Sequence, residues 1–87
     1  MIFEKSNRNG KKYKVFYNGK WIHFGSTLYP QYKDTTPLKL YSNLDHLDEV
    51  RKKSYLSRAK RIKDKYGNLT YQDKNSPNYW AINFLWA

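Results

Sequence analysis

The sequence predicts a small α+β domain, in which an N-terminal antiparallel β-hairpin or meander packs on one long basic helix and a C-terminal aromatic helix completes the core. With 87 residues, the chain suits a single basic domain spanning residues 1–87. Nine Tyr, four Phe and three Trp supply the large apolar side chains that a disordered basic tail lacks. An Asn-Gly dipeptide at 18–19 between alternating segments is a strong hairpin signal.

The predicted hairpin joins residues 12–17 to residues 20–24. A two-residue turn fixes the register, so that Tyr17 lies opposite Lys20, Phe16 opposite Trp21, Val15 opposite Ile22, Lys14 opposite His23 and Tyr13 opposite Phe24. One face then carries apolar core side chains, and the other carries Lys12, Lys14, Phe16, Trp21 and His23. Residues 2–5 are a candidate third strand, joined to the hairpin by a turn at residues 7–10.

The long basic helix is predicted over residues 44–66, where it would cover the sheet. Ser42 or Asp45 can cap its start, and Gly67 is a suitable residue just beyond its end. A stripe at helical spacing is formed by Leu44, Leu47, Tyr55, Ala59, Ile62 and Tyr66. Residues 25–40 contain two prolines and no period, so they predict a connecting loop with one helical turn near 29–33.

The C-terminal segment begins with Ser76-Pro77, an N-cap followed by proline at the first helical position. Residues 78–86 also fit strand alternation, and the Ser-Pro start favours the helix. The segment is apolar on nearly all sides, which predicts burial. Residues 68–75 predict a loop or a short strand near 69–71.

The charge balance is the main indication of function. The chain has 17 Lys+Arg against 7 Asp+Glu, a formal net charge of +10, and such a chain binds polyanions to some degree whatever its role. The absence of cysteine excludes disulfides and thiolate metal sites. No apolar run is long enough to cross a bilayer, and residues 1–5 lack the apolar core of a signal peptide. We therefore expect no membrane partner and synthesis in the cell interior.

Two groups of side chains are candidates for binding nucleic acid or an acidic partner. The first lies on the outer hairpin face, where Lys12, Lys14, Trp21 and His23 combine charge with aromatic planes. The second follows the predicted helix and consists of Arg51, Lys52, Lys53, Arg58, Lys60 and Arg61. The alternative for the first group is that Phe16 and Trp21 pack under another element. The alternative for the second is a solvated helix face.

Residues that suggest catalysis have simpler interpretations. Asp45, His46, Asp48 and Glu49 form a metal-like cluster in the sequence, yet His46 and Glu49 alone are too few ligands for a catalytic site. We interpret them as carboxylates at a helix start. Residues 18–27 faintly resemble the second half of the GIY-YIG nuclease signature, but His23 replaces its tyrosine and no arginine follows until Arg51. With no nucleophile–base pair in the sequence, we expect no enzyme, no cofactor, no metal and no small-molecule substrate.

Several stretches, in order, resemble a family of small basic proteins of unknown function from large double-stranded DNA viruses and tailed phages. They are residues 12–16, 22–25, Tyr29, 32–34, 44–48, 51–58 and 76–80, with Leu85-Trp86 at the end. Many members of that family have histidine where this chain has Ala59, so no role of that histidine carries over. The resemblance implies a virion location after synthesis in the host cell, and it implies no activity.

Two hypotheses follow. The first is a non-enzymatic structural virion protein, an auxiliary or minor capsid component whose basic surface contacts acidic capsid protein or packaged genome. The alternative is a nucleic-acid-binding protein that condenses or regulates viral DNA through phosphate contacts. The expected partners are thus other virion proteins, nucleic acid, or both.

Overall fold

The computed structural model describes residues 2–87 and confirms the α+β class. A three-stranded antiparallel sheet has the order β1-β2-β3. Two α-helices and two 3₁₀ turns, Ser42–Leu44 and Thr70–Gln72, follow it. The strands and helices are β1 Ile2–Lys5, β2 Lys11–Tyr17, β3 Lys20–Ser26, α1 Glu49–Ala59 and α2 Pro77–Leu85. No helix within this described part is long and apolar enough to cross a membrane.

The sheet agrees with the sequence prediction in register and in strand number. Every predicted β2–β3 pair is present, from Tyr17 opposite Lys20 to Tyr13 opposite Phe24. Asn18 and Gly19 adopt φ values of 54° and 78°, as a tight hairpin turn requires. The predicted third strand is confirmed as β1, which pairs with β2 so that Phe3 lies opposite Val15.

The core lies between the inner face of the sheet and α2. Tyr13, Val15 and Phe24 are fully buried against α2 side chains that include Trp80 and Leu85. Trp80 packs against side chains of both β1 and β2. The centroid of its ring lies 6.1 Å from that of Phe3 and 5.8 Å from that of Tyr17. The predicted start of this helix is confirmed, because the Ser76 side chain accepts from the Asn78 N–H and Pro77 opens the first turn.

The predicted helix over 44–66 is wrong in extent and in placement. The helix spans only Glu49–Ala59, and it packs on α2 rather than covering the sheet. Leu47 has a φ of 55°, which helices exclude, and Asp48 caps the first turn by accepting from the Val50 and Arg51 N–H groups. Beyond the helix, the Asp64 carboxylate accepts from the Tyr66 and Asn68 N–H groups, a local turn that competes with helix.

The connection between β3 and α1 is ordered by buried polar side chains. Gln31, Asp34 and Thr36 are almost inaccessible. Asp34 accepts from the Tyr13 hydroxyl, from Thr36 Oγ1 at 2.6 Å and from the Tyr41 N–H at 3.1 Å. The predicted helical turn near 29–33 is wrong, since Gln31 instead forms a β-bridge with Asp45. The buried polar groups of this connection are therefore satisfied by hydrogen bonds within it and to Tyr13 of β2.

Candidate functional site

Lys12 is not on a binding surface, and its placement there was wrong. The residue is 2% exposed, and its Nζ donates to the Tyr29 carbonyl at 2.8 Å and to Gln31 Oε1 at 2.5 Å. Burial lowers the pKa of Lys12 to about 8, although Asp34 and Asp45 oppose the shift. Strand alternation gave the correct strand position, but the segment 29–31 folds over the end of β2 and covers the side chain.

The outer sheet face consists of Lys14, Phe16, Trp21 and His23, with Ile2 beside them. Lys14 Nζ lies 4.5 Å from the centroid of the Trp21 ring, and the rings of Phe16 and Trp21 pack edge to face with their centroids 5.2 Å apart. Phe16 is 41% and Trp21 37% exposed, so no element within residues 2–87 covers this face. The alternative that these rings pack under another element of the chain is wrong for the described residues.

His23 has a partner that the sequence did not indicate. Its Nδ1 lies 2.7 Å from Ser6 Oγ, which also accepts from the Arg8 N–H at 3.0 Å. Desolvation lowers the pKa of His23, and the positive charges of Arg8, Lys14 and Lys11 lower it further. The structure thus brings Ser6, which follows β1, within hydrogen-bond distance of His23 in β3. Within residues 2–87 the imidazole has no carboxylate partner, so the pair lacks the orienting group of a catalytic triad.

The bases of α1 point in several directions. Arg51, Lys53 and Arg58 are exposed, as are Lys60 and Arg61 just after the helix. Lys52 is half-buried, with its Nζ 4.5 Å from the Tyr32 ring centroid. Only Arg51 forms an ion pair among them, 3.7 Å from Asp48, within the described chain. The predicted basic surface is therefore present along α1 but is not a single stripe.

A groove of about 740 Å³ lies between α1, α2 and the adjoining ends of β2 and β3, and it is here called the inter-helix groove. Arg51, Tyr55 and Arg58 line it from α1, while Leu85 and Trp86 line it from the end of α2. Among the predicted binding residues, it brings together Arg51 and Arg58, with Lys12 beneath them. It omits Lys14, Trp21 and His23, which belong to the outer sheet face.

Sequence reasoning missed Lys11 and His46 as groove residues. Lys11 lies at the first position of β2, where its proximity to α1 depends on tertiary structure alone. His46 Nδ1 accepts from the Asp48 N–H at 2.9 Å, so in the neutral ring the proton is on Nε2. That nitrogen is buried and has no hydrogen-bond partner among the described residues.

The acidic residues beside His46 have separate partners. Asp45 accepts from Gln31 Nε2 at 2.6 Å and from the Asp34 N–H at 2.8 Å. Asp48 caps α1, as a carboxylate at a helix start was predicted to do, and Glu49 accepts from the Tyr32 hydroxyl at 2.6 Å. Within residues 2–87 no three potential ligands are grouped as a metal site requires.

Comparison with known protein families matches the N-terminal half of the chain. A family model described as a family of unknown function (DUF5754) matches residues 1–44. The match covers the sheet and most of the connecting loop and leaves α1 and α2 outside it. No curated protein and no solved structure matches the chain.

Proposed function

Because the chain belongs to the DUF5754 family of unknown function, we propose its function from its surface: a non-enzymatic structural virion protein that docks on acidic capsid protein or on packaged genome. The viral assignment rests on the resemblance described above. The docking part rests on charge. The enzyme alternative has little support, since Ser6 and His23 lack an orienting carboxylate within residues 2–87.

The observation that carries the proposal is the number of cations without an intramolecular partner. The net charge is +10, yet residues 2–87 contain two ion pairs, Lys14–Glu4 and Arg51–Asp48. Exposed bases repel one another when no anion is nearby, so an acidic surface bound alongside α1 would relieve that repulsion. The aromatic core holds these bases on an ordered scaffold, which suits docking at a fixed position.

The outer sheet face favours a second candidate, a nucleic-acid-binding protein that condenses or regulates viral DNA. Exposed Phe16 and Trp21 lie beside Lys14, and single-stranded nucleic acids bind where aromatic planes adjoin bases. The two candidates differ in location: the structural protein accompanies the particle, while a regulator acts in the infected cell.

The test is quantitative mass spectrometry of purified particles of a virus that encodes this chain. We expect a fixed copy number relative to the major capsid protein, retained after nuclease treatment and a salt wash of intact particles. A non-structural protein of that virus serves as the control for carry-over. Absence from particles, with enrichment on DNA in infected cells, would reject the structural role and support the second candidate.

A further inference from the structure

We propose that the inter-helix groove binds an acidic segment of a partner protein, anchored by a large apolar side chain. The inference rests on the proposed docking function and identifies the surface and the chemistry of the partner. Three properties of the groove carry it: apolar side chains in its lining, several cations with no acidic residue in the lining, and the stacked pair of Tyr55 and Trp86.

The apolar lining provides the anchor site. Leu85 and Ala81 form part of the groove wall, and the ring of Tyr55 stacks on that of Trp86 with centroids 4.0 Å apart. At the edges of the groove, Val50 is 75% and Ile62 52% exposed. A large apolar side chain placed here would pack on the already buried Leu85 and Ala81 and would remove the exposed edges at Val50 and Ile62 from water, and such burial is the main driving force of association.

The charges around the lining select an acidic occupant. Lys11, Arg51 and Arg58 border the groove, and no Asp or Glu lines it. Arg58 forms no ion pair within residues 2–87, so its guanidinium is available to a carboxylate, which it can bind through two parallel hydrogen bonds.

The stacking of Tyr55 on Trp86 favours a protein segment over nucleic acid at this end of the groove, and the exposed aromatic ring in the lining is that of Tyr29. Nucleobases bind to free aromatic faces. One face of Trp86 is stacked on Tyr55, and the ring of His46 lies 5.2 Å away at a 58° tilt. A second copy of this chain is disfavoured as the occupant, because two molecules that each carry +10 repel one another.

The experiment measures binding of two blocked peptides to the full chain by isothermal titration calorimetry. The first is Glu-Asp-Phe-Leu-Glu-Asp, and the second, Glu-Asp-Ala-Ala-Glu-Asp, has the same charge without the anchor. A labelled oligothymidine is the nucleic-acid probe. Ser54→Trp fills the groove from α1, while Ser57→Trp adds the same ring outside it. Arg58→Gln removes a charge at the groove, and Arg8→Gln removes one in the β1–β2 turn. Both serines are exposed, and far-UV circular dichroism checks that each variant is folded.

We expect the Phe-Leu peptide to bind about tenfold more tightly than the Ala-Ala peptide. Ser54→Trp and Arg58→Gln should each weaken the first peptide about tenfold, with little effect from Ser57→Trp or Arg8→Gln. Equal binding of the two peptides, or equal effects within each variant pair, would overturn the inference. So would a result in which Ser54→Trp weakens oligothymidine and leaves the peptide unchanged.

The two proposals fail separately. If the peptides bind equally but the chain is present in particles at fixed copy number, the groove inference is wrong and the docking role stands. If the groove variants behave as expected but the chain is absent from particles, the virion role is wrong and the groove remains a site for an acidic protein segment.

Discussion

At the scale of single residues, Lys12 controls how stability responds to pH. Its pKa is lowered from 10.5 to about 8 in the folded chain, and the main cause is that burial removes water from around the amine. Below pH 8 the folded state must hold a buried cation that the unfolded chain hydrates freely, which costs about 3 kcal/mol. Between pH 8 and 10.5 the unfolded chain binds the extra proton, so the free energy of unfolding rises with pH.

We predict that the free energy of unfolding increases by about 2 kcal/mol between pH 7 and pH 9.5 through Lys12 alone. The measurement is urea unfolding of the parent and of Lys12→Met at both pH values, because the variant lacks the titrating amine. Above pH 10 the trend should reverse, since burial and the Asp34 hydrogen bond raise the pKa of Tyr13 to about 12 and the unfolded chain then loses the tyrosine proton first. Parallel pH profiles of parent and variant would contradict the assignment.

Residue-level prediction succeeded where neighbours in sequence decide the outcome. Period-two alternation placed Tyr13, Val15 and Phe24 in the core, and they are buried. The same alternation placed Lys12 on the opposite face. The burial of the Lys12 side chain depends on Gly25 in the neighbouring strand β3. Gly25 has a φ of 79° and no Cβ, so the aliphatic part of Lys12 and the side chain of Leu85 can approach it closely. Nothing local in the sequence indicates that approach.

At the scale of elements, α2 forms the core together with the sheet, and α1 packs against α2. Trp80 is 2% exposed and its Nε1 donates to the Lys74 carbonyl at 2.7 Å, while half-buried Trp86 joins α2 to α1 through Tyr55. We predict that Trp80→Ala costs about 3–5 kcal/mol, a large share of the 5–15 kcal/mol typical of a domain. Trp86→Ala should cost about 1–2 kcal/mol, because only part of its ring leaves water.

Thermal unfolding followed by circular dichroism distinguishes these two variants. Trp80→Ala should lower the unfolding midpoint by several times as many degrees as Trp86→Ala, in proportion to the two losses of stability. Equal midpoints for the two variants would show that α1 and α2 are equally important to the core, contrary to the packing described above.

Helix length is the element-level property that the sequence predicted least well. Ile62 and Tyr66 extend the apolar spacing of Tyr55 and Ala59, yet they are 52% and 76% exposed. The Asp64 carboxylate bonds to backbone N–H groups two and four residues ahead, which stabilises a turn in place of helix. Periodicity alone cannot weigh that competition.

At the scale of the whole molecule, the sign and size of the net charge were predictable from the sequence. The grouping of bases from different elements at the inter-helix groove was not. The surplus of bases follows directly from composition. Lys11 of β2 lines the same groove as Arg51 and Arg58 of α1. This arrangement depends on the packing of α1 against α2. Long-range packing of this kind has no local signature.

The charge of the whole molecule predicts strong salt dependence of polyanion binding. If the six candidate bases at positions 51–61 each contact one phosphate of duplex DNA, a plot of log affinity against log salt should have a slope of about −5. Fluorescence anisotropy between about 50 and 200 mM salt measures it. A slope close to zero would show that these bases do not bind phosphate as a group.

The connection after β3 is hydrogen-bonded to the C-terminal end of α2. The Lys33 and Thr35 N–H groups donate to the carbonyls of Leu85 and Phe84 at 3.0 and 2.9 Å, where the last turn of α2 would otherwise leave acceptors free. During synthesis on the ribosome, these hydrogen bonds cannot form until residue 85 has left the exit tunnel. Until then the inner, apolar face of the sheet stays exposed to water. Apolar surface and strand edges that stay exposed in this way favour aggregation, so the final residues of α2 decide when the emerging sheet is protected.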